Sequence, residues 1–209
     1  IIMKQKIIDH NIINNQLLPN KVNKESILKL FKQVNRNMFV DEDDRNIANI
    51  DENFYFSNKR FLLKSSTIGK LLNLIVGNNF SNVLNVGSTT GYSSVLLSKI
   101  SNFVLSLESE ISLHEKEKKI LKFLEIENIR SINGDLHKGC RDYMPYDLIF
   151  INGCLKRTPS ILLDQLNNKG YLVCIELNKY NLKKIVKYKK NKYTTEKKEY
   201  YIVNAPLLL

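Results

Sequence analysis

Short apolar runs alternate with amphipathic helical patterns over residues 81–209 of this chain. The apolar runs, each of which predicts a strand, begin near residues 83, 103, 129, 147 and 171. Most of the gaps between them hold apolar residues at helical spacing, as in residues 113–124. This alternation predicts an α/β fold in which a doubly wound, mostly parallel sheet is covered by helices on both faces.

The N-terminal part, residues 1–80, has a pattern that predicts a helical extension. A first helix is expected over residues 3–18, ended by Pro19, and a second over residues 24–34, capped by Asn23. Ser66 is expected to cap a third helix, after a linker of mixed character at residues 51–65. The acidic run at residues 41–44 predicts a solvated loop or the start of a helix.

The C-terminal tail departs from the alternation. Residues 183–198 are rich in lysine, and strands are predicted near residues 192–196 and 200–203. Because these two strands follow each other closely, they predict an antiparallel hairpin at the sheet edge, where lysines discourage pairing with other chains. We expect residues 1–209 to form one domain, with residues 81–209 as its ligand-binding core.

The most informative local pattern lies at residues 83–93. An apolar run leads to Gly87, a second glycine follows at Gly91, and an amphipathic segment comes next, which predicts strand, tight turn and helix. Glycine lets such a turn bend sharply and lets a ligand approach the backbone. Glu108 ends the next apolar run, 21 residues after Gly87, where an acid can accept both hydroxyls of a ribose. A glycine turn that binds no ligand is the alternative.

Two residues depart from the usual form of a nucleoside-binding turn. Asn85 stands where an acid is usual, and Thr89 stands where a second glycine is common. A β-branched residue tolerates positive φ poorly, so we expect the turn to differ locally at Thr89. Gly134-Asp135 and Asn152-Gly153 follow the third and fourth predicted strands, and therefore converge on the same edge of the sheet.

The chain is basic, with a formal net charge of +11 and an isoelectric point of about 9.4. Nucleic acid or an anionic surface could use such a charge. However, Lys, Asn and Ile are used heavily everywhere, and no aromatic-interleaved RNA-binding motif accompanies the charge. We favour a compositional bias and keep nucleic acid as the less favoured partner.

The cysteines and the hydropathy pattern narrow the class of protein. The three cysteines are far apart, and no metal-ligand spacing links them to the histidines, so they predict reduced thiols in a cytoplasmic protein with no metal. No apolar run approaches the roughly 20 residues that span a bilayer, and we find no signal-peptide pattern. We therefore expect no membrane association.

These features together resemble a class I S-adenosylmethionine-dependent methyltransferase, and more closely the protein-L-isoaspartate O-methyltransferase family. The resemblance runs from about residue 15 to residue 207. A Gly-Asp-x-x-x-Gly element at residues 134–139 and an Asp-Gln-Leu element at residues 164–166 are fairly specific as a set. The other segments that carry it are residues 34–40, 83–93, 107–108, 145–149 and 205–207.

The resemblance implies a Rossmann-like sheet and the cofactor S-adenosyl-L-methionine. Gly87, Ser88 and Gly91 would face the methionine part of the cofactor. Glu108 would hold the ribose, and Asp135 would lie with its neighbour beside the adenine. The full set of residues implied for the cofactor is Gly87, Ser88, Thr89, Gly91, Tyr92, Glu108, Ser109, Asp135, Leu136 and Asn152.

The loop that would bind substrate, within residues 56–65, departs from the family pattern. Leu63 stands where the family has a hydroxyl residue, and Ser65 stands where it has proline. Since leucine cannot hydrogen-bond a carboxylate, Lys59, Arg60 or Lys64 are candidates to attract one. Solvated loop charges are the alternative, and no catalytic residue is assigned.

A member of this family would methylate the α-carboxylate of L-isoaspartyl residues in damaged proteins, which starts their repair. The carboxylate is already ionised at pH 7, so positioning rather than a strong general base should supply the rate. The altered loop and turn leave a non-catalytic scaffold or binding protein as an alternative. The net charge leaves a nucleic-acid methyltransferase as another. We expect a cytoplasmic monomer whose substrates are isoaspartyl-containing proteins or peptides.

Overall fold

The computed structural model describes residues 11–208. The first of these residues form short helical segments connected by tight turns. They comprise a π-helix at Ile12–Leu17, 3-10 helices at Leu18–Asn20, Arg36–Phe39 and Glu42–Asp44, and α-helices α1 (Glu25–Gln33) and α2 (Arg45–Ala48). The acidic run is thus the start of a helical segment, as predicted. Residues 3–10 of the predicted first helix lie outside the described residues.

A two-stranded antiparallel hairpin and a third α-helix follow. The hairpin pairs β1 (Phe54–Tyr55) with β2 (Phe61–Leu62), and α3 spans Ser65–Asn73. Residues 51–65 are therefore more ordered than the linker that the sequence predicted. The hairpin matters for function because it leads from the helical part to the edge of the large sheet where strands β3 and β4 end.

The remaining chain alternates strands and helices and then ends in antiparallel strands. The elements are β3 (Phe80–Val86), α4 (Tyr92–Ser98), β4 (Ser101–Glu108), α5 (Ile111–Phe123), β5 (Ile129–Asn133), β6 (Tyr146–Leu155), α6 (Ser160–Asp164), β7 (Leu166–Leu177), β8 (Lys183–Lys190) and β9 (Thr195–Ile202). A 3-10 turn at Arg141–Tyr143 precedes β6.

The large sheet has the strand order β5-β4-β3-β6-β7-β8-β9. Strands β5, β4, β3, β6 and β7 are parallel, and β8 and β9 are antiparallel. The chain moves outward from β3 to β5 and then returns to the other side of β3 with β6. The predicted doubly wound, mostly parallel sheet is confirmed, and its switch point lies at the carboxyl end of β3, where such sheets bind ligands.

The central strands are buried on both faces, which explains their nearly continuous apolar runs. Val83 and Phe150 pack on one face with the helical part of the chain. Leu84 and Ile149 pack on the opposite face with Leu136. Because neighbouring strand residues point to opposite faces, each short run supplies both layers of the core. The division of one domain into residues 1–80 and 81–209 stays a prediction.

The start of α3 corrects one predicted cap. Ser66 lies inside the helix, which begins at Ser65. The backbone N–H of Ser66 donates to Asp51 Oδ1 at 3.0 Å, and that of Lys64 donates to Asn53 Oδ1 at 3.1 Å. The helix end is thus satisfied by side chains of the preceding loop, which a local capping pattern does not reveal.

The cap predicted for α1 is also wrong. The residue before the helix is Lys24 rather than Asn23, and it makes no side-chain cap hydrogen bond. Ile27, Leu30 and Phe31 of α1 are buried. The helix therefore owes its position to tertiary packing of its apolar face, which commonly outweighs a missing cap.

The C-terminal hairpin is present at the sheet edge, but its strands are misplaced in the prediction. The lysine-rich residues form β8 themselves, and residues 191–194 form the turn. Ile185, Val186 and Tyr188 of β8 are buried, while the lysines of the same strand are half-buried. Lys187 donates from Nζ to the Leu74 carbonyl at 2.7 Å. Long lysine side chains can lie along apolar surface with their charge outside. A prediction based on polarity alone therefore misses β8.

Candidate active site

The glycine turn after β3 is built from three residues with left-handed backbone conformation. Their φ values are 72° at Gly87, 55° at Thr89 and 95° at Gly91. Thr89 thus adopts a positive φ despite its branched side chain. Its N–H donates to Glu108 Oε2 at 2.9 Å, and its hydroxyl donates to the Ser88 carbonyl at 2.7 Å. These two hydrogen bonds offset the strain of a β-branched residue in this region.

Glu108 lies at the end of β4 with its side chain fully buried. Besides the N–H of Thr89, its carboxylate accepts the N–H groups of Ser109 at 2.7 Å and Glu110 at 2.9 Å, both on Oε1. Ser109 itself is exposed at the edge of the site. Glu108 therefore joins the turn after β3 to the loop after β4, and Oε2 keeps a lone pair for another donor.

Arg60, the residue directly before β2, occupies the other side of the Glu108 carboxylate. Its Nε donates to Glu108 Oε1 at 2.7 Å, one terminal nitrogen donates to Ser109 Oγ, and the other donates to the Lys59 carbonyl at 3.2 Å. The Arg60 side chain is 8% exposed. Arg60, a predicted candidate for binding the substrate carboxylate, is thus paired with Glu108, the acid predicted to bind the ribose.

The other predicted loop residues differ in their surroundings. Lys59 is exposed, Lys64 Nζ lies 4.0 Å from Asp51 Oδ2, and Leu63 is buried. Ser65 is also buried, and its hydroxyl makes no hydrogen bond in the structure. Among residues 11–208, Lys59 is the one cation of this loop without an ion-pair partner within 4.0 Å.

The third strand end contributes Asp135 and Leu136. The Asp135 side chain is exposed and accepts the N–H of His137 at 2.9 Å, whereas Leu136 is buried. A cavity of about 410 Å³ lies beside this end, lined by His137 and by residues 155–162. Space of that size suits part of a small ligand.

Asn152 and Gly153 lie within β6 rather than after it, which corrects their predicted place. The pairing of β6 with β7 shifts register between Phe150 and Cys154, so the strand continues past the site. Asn152 Nδ2 donates to Asn85 Oδ1 at 2.7 Å and to the Val86 carbonyl at 3.0 Å. Asn152 therefore supports the floor of the turn rather than projecting from a strand end.

The C-terminal segment closes one side of the turn. The backbone carbonyl of Cys154 accepts the N–H of Leu208, and the backbone N–H of Cys154 donates to the Pro206 carbonyl, both at 2.9 Å. A Cβ built on Gly87 would lie 3.0 Å from the Leu208 side chain, and one built on Gly153 would lie 2.6 Å from it. Leu208 thus packs on two glycines at the switch point, a contact that no local sequence pattern predicts.

Tyr92 is placed away from the turn's open side. Its fully buried ring lies 5.3 Å from the ring of Phe39, and the guanidinium of Arg36 lies 5.2 Å from its centre. Tyr92 therefore joins α4 to the helical part of the chain. This contact anchors the residue that directly follows Gly91.

A buried carboxylate beneath the turn was missed by the sequence analysis. Glu117 of α5 is fully buried and accepts hydroxyl hydrogen bonds from four serines. These define the Glu117 cluster: Ser88, Ser94, Ser106, Glu117 and Ser131. Its position between Leu113 and Leu121, four residues from each, puts an acid on the apolar stripe of a helix. That anomaly is the signal that could have identified it.

Among the described residues, no group of three or more His, Cys, Asp or Glu side chains is arranged to hold a metal ion. Within the same residues, no helix has the length and hydropathy needed to cross a bilayer.

Comparisons with known proteins decide the family. The model of the family described as protein-L-isoaspartate(D-aspartate) O-methyltransferase matches residues 6–207. The chain belongs to this family. A protein-L-isoaspartate O-methyltransferase of Helicobacter pylori is 28% identical over 184 residues, covering 85% of this chain and 88% of the relative. One of Aliivibrio fischeri is 30% identical over 149 residues, covering 71% and 72%.

Solved structures agree on the fold of this protein-L-isoaspartate O-methyltransferase family member. A Plasmodium falciparum structure, described as a protein-L-isoaspartate O-methyltransferase in complex with S-adenosyl-L-homocysteine, has a TM-score of 0.79, 20% identity and 98% coverage of both chains. A second solved protein-L-isoaspartate O-methyltransferase has a TM-score of 0.77 and 20% identity, and covers 88% of this chain. This chain spans 61% of the length of that second protein.

The residues at the switch point fit S-adenosylmethionine, the methyl donor of the protein-L-isoaspartate O-methyltransferase family. Glu108 is a buried acceptor at the end of β4, suited to the two hydroxyls of a ribose. A Cβ at Gly87 would lie 3.0 Å from the Leu208 side chain, so a larger residue at this position of the turn would require Leu208 to shift. Arg60 Nε already donates to Glu108 Oε1. For a ribose to bind both oxygens of Glu108, Arg60 must therefore share Oε1 or move away from it.

Replacing Arg60 by methionine is expected to tighten binding of S-adenosylhomocysteine about three- to ten-fold. The substitution removes a charged partner that competes for Glu108, and a charge-assisted hydrogen bond contributes about 1.5–3 kcal/mol. Calorimetric titration measures the change. Lys59→Met, which removes the neighbouring exposed charge, is the control and should leave affinity unchanged. Equal or weaker binding by Arg60→Met would show that the arginine does not compete.

Proposed function

We propose that this chain transfers a methyl group from S-adenosyl-L-methionine to the α-carboxylate of L-isoaspartyl residues in damaged proteins, and so starts their repair. The observation that carries the proposal is the buried Glu108, hydrogen-bonded to the Thr89 N–H across the glycine turn. It stands in a chain that matches its family over residues 6–207. Membership of the family supports the identity of the substrate, and the geometry of the site supports the identity of the cofactor.

Binding of the cofactor is assigned to residues at three strand ends. Gly87, Ser88 and Thr89 with Gly91 would hold the methionine part, and Glu108 the ribose hydroxyls. Asp135 and Leu136 would lie beside the adenine, where the neighbouring cavity offers room. Ser109 would border the ribose. Asn152 and Tyr92, which the family resemblance also implied for the cofactor, would act indirectly. Asn152 supports the turn through the Val86 carbonyl, and Tyr92 supports it by packing on Phe39.

The chemistry asks little of the side chains beyond position. The bound cofactor supplies a methyl group on a positively charged sulfur, which is already activated for transfer. The acceptor carboxylate is ionised at pH 7, so no residue has to remove a proton. The chain's contribution is to hold carboxylate, methyl and sulfur in line and to exclude water. Phe61 and Leu208, which both contact the position of a Gly153 Cβ, are placed to exclude it.

Attraction of the substrate carboxylate is assigned to Lys59. It is exposed beside the hairpin and lacks an ion-pair partner within the described part of the chain. Leu63, at the position of the family's hydroxyl residue, is buried and cannot donate a hydrogen bond. Arg60 would join Lys59 only if it left Glu108. A lysine would hold the carboxylate less directionally than a hydroxyl or an arginine.

The proposal extends to the compartment, the oligomeric state and the partners of the protein. We place the protein in the cytoplasm, as a monomer, with isoaspartyl-containing proteins or peptides as partners. The three cysteines are free thiols in the structure, which suits a reducing compartment. A scaffold without activity remains the main alternative, because Leu63 and Ser65 alter the substrate loop.

Methyl transfer to a peptide containing one L-isoaspartyl residue tests the proposal. The matched control is the same peptide with an ordinary aspartyl residue, and labelled S-adenosylmethionine reports the product. We expect methylation of the isoaspartyl peptide alone. Folded protein that binds S-adenosylhomocysteine yet methylates neither peptide would instead support the scaffold. Labelling of added RNA, but of neither peptide, would support a nucleic-acid methyltransferase.

A further inference from the structure

The floor of the glycine turn carries a charge arrangement that differs from the usual one. Position 85, where an acid is usual in such turns, holds Asn85, which is fully buried. Its amide donates to Ser93 Oγ at 2.9 Å and to Ser94 Oγ at 2.8 Å. A carboxylate in its place could make neither of these donations, since an ionised acid only accepts.

The acid of this region comes instead from α5. Ser94, which receives a hydrogen bond from Asn85, donates to Glu117 Oε1 at 3.1 Å. Since Asn152 donates to Asn85 in turn, the donors are directed along a chain from β6 through β3 and α4 to Glu117. The amide at position 85 therefore points its donors toward the carboxylate, and the two positions act as a pair.

Glu117 also touches the turn directly. Its Oε2 accepts the Ser88 hydroxyl at 3.1 Å, and a Cβ built on Gly91 would lie 2.8 Å from Oε1. Both residues belong to the turn that would hold the methionine part of the cofactor. A charge on Glu117 thus lies one residue layer beneath a bound ligand, in a buried region where charges interact strongly.

The Glu117 cluster suits the ionised acid. Four hydroxyl donors match the four lone-pair sites of a carboxylate, two on each oxygen. Burial opposes ionisation and raises the pKa of Glu117 to about 7, although the serine hydrogen bonds act to lower it. Both charge states are therefore populated near neutral pH, so a nearby cation can shift the balance.

Within residues 11–208, few other titratable groups face this carboxylate. From its own helix, His114 is linked to the cluster through Ser131, whose Oγ lies 2.8 Å from His114 Nδ1. From β4, Glu108 lies on the other side of the turn, where it is paired with Arg60. The hydrogen bonds that reach Glu117 from α4, β4, β5 and the turn all come from serine hydroxyls. Glu117 is therefore the group whose charge can respond to a ligand from beneath the turn.

We propose that Glu117 is a positioning residue that supplies, beneath the cofactor turn, the negative charge that position 85 lacks, and that it favours the cationic S-adenosylmethionine over S-adenosylhomocysteine. The inference rests on the proposed function, because it assumes that the turn binds this cofactor. The two ligands differ by the positive charge on sulfur. Selective binding of the donor would limit inhibition by the product, which has lost that charge.

Two linked effects follow. A cation bound above Glu117 favours its ionised form, so binding of S-adenosylmethionine at pH 7 releases a fraction of a proton, and S-adenosylhomocysteine releases less. The ratio of the two affinities should also rise about five- to ten-fold as the pH increases from 6 to 8, because the ionised fraction of Glu117 rises over that range. Both effects require that Glu117 can change its charge.

The test compares Glu117→Gln with the wild-type chain by calorimetry with both ligands at pH 6, 7 and 8. Titrations in two buffers of different ionisation enthalpy measure proton release. Glutamine keeps the shape and removes the charge. We expect it to weaken S-adenosylmethionine about ten-fold, to change S-adenosylhomocysteine less than two-fold, and to abolish the difference in proton release.

Two further variants separate charge from structure. Glu115→Gln, on the exposed side of the same helix, removes an equal charge and should behave like the wild type. Asn85→Asp combined with Glu117→Gln returns the acid to position 85 and should recover part of the preference. Loss of both ligands to the same degree in Glu117→Gln would show structural support alone, and would overturn the proposal.

The outcomes also distinguish this inference from the proposed function. A wild-type chain that binds both ligands without any difference in proton release at pH 7 overturns the role of Glu117 and leaves the methyltransferase function intact. That measurement needs no variant, so it stands even if Glu117→Gln fails to fold. A wild-type chain that binds neither ligand overturns both.

Discussion

Replacing Glu108 by alanine is expected to weaken S-adenosylhomocysteine binding at least 100-fold and to destabilise the protein by about 3–5 kcal/mol. The binding loss has two sources, since the acceptor for the ribose disappears and the Thr89 N–H loses the anchor that holds the turn. The stability loss arises because Arg60 is left as a buried charge without its partner, and breaking such a pair costs about this much.

Calorimetry and urea denaturation measure these two effects. The double variant Glu108→Gln with Arg60→Met is the matched control, because it removes both charges and keeps side chains of similar size. It should recover most of the stability but little of the affinity. If Glu108→Ala bound S-adenosylhomocysteine like the wild type, the ribose contact would have to be abandoned. If it were as stable as the wild type, the ion pair would carry no net stabilisation.

Replacing Gly91 by alanine is expected to destabilise the protein by about 3 kcal/mol and to weaken cofactor binding at least ten-fold. Gly91 has a φ of 95°, and a left-handed conformation costs an ordinary L-residue about 1–2 kcal/mol. In addition, the new methyl group would lie 2.8 Å from Glu117 Oε1 and 2.9 Å from its Cγ. The turn or the carboxylate must shift, and both border the cofactor site.

Gly77→Ala separates these two causes. Gly77 also has a φ of 95°, but a Cβ there would meet no atom within 4 Å. This variant should therefore lose only the conformational part of the stability and bind S-adenosylhomocysteine normally. Equal destabilisation of the two variants, measured by urea denaturation, would mean that contact with Glu117 adds nothing at position 91.

The backbone of the site was predictable because its signals are local. The apolar run, the two glycines and Glu108 follow one another within 26 residues of chain. Period-two and helical patterns place the strands, and the parallel sheet then brings their carboxyl ends together. The family resemblance at these residues was confirmed by the match over residues 6–207.

The residues that these groups contact were harder to predict from the sequence. Arg60 is 48 residues from Glu108, and its charge in the loop gave no sign that it would turn inward. Ser66 looked like a helix cap, but Asp51 satisfies that N–H. The strand β8 was hidden by lysines whose stems lie along the sheet. In each case, tertiary contact decided what local propensity left open.

The sequence by itself determined the succession of the parallel strands from β3 to β7, the turn between β3 and α4, and the place of Glu108. These depend on short-range backbone preferences and on burial of regularly spaced apolar residues. Only the tertiary structure decided that Arg60 pairs with Glu108, that Leu208 packs on Gly87, and that Glu117 lies beneath the turn. Those contacts join segments far apart in the chain, and burial and hydrogen-bond satisfaction, rather than any local pattern, determine which side chains meet.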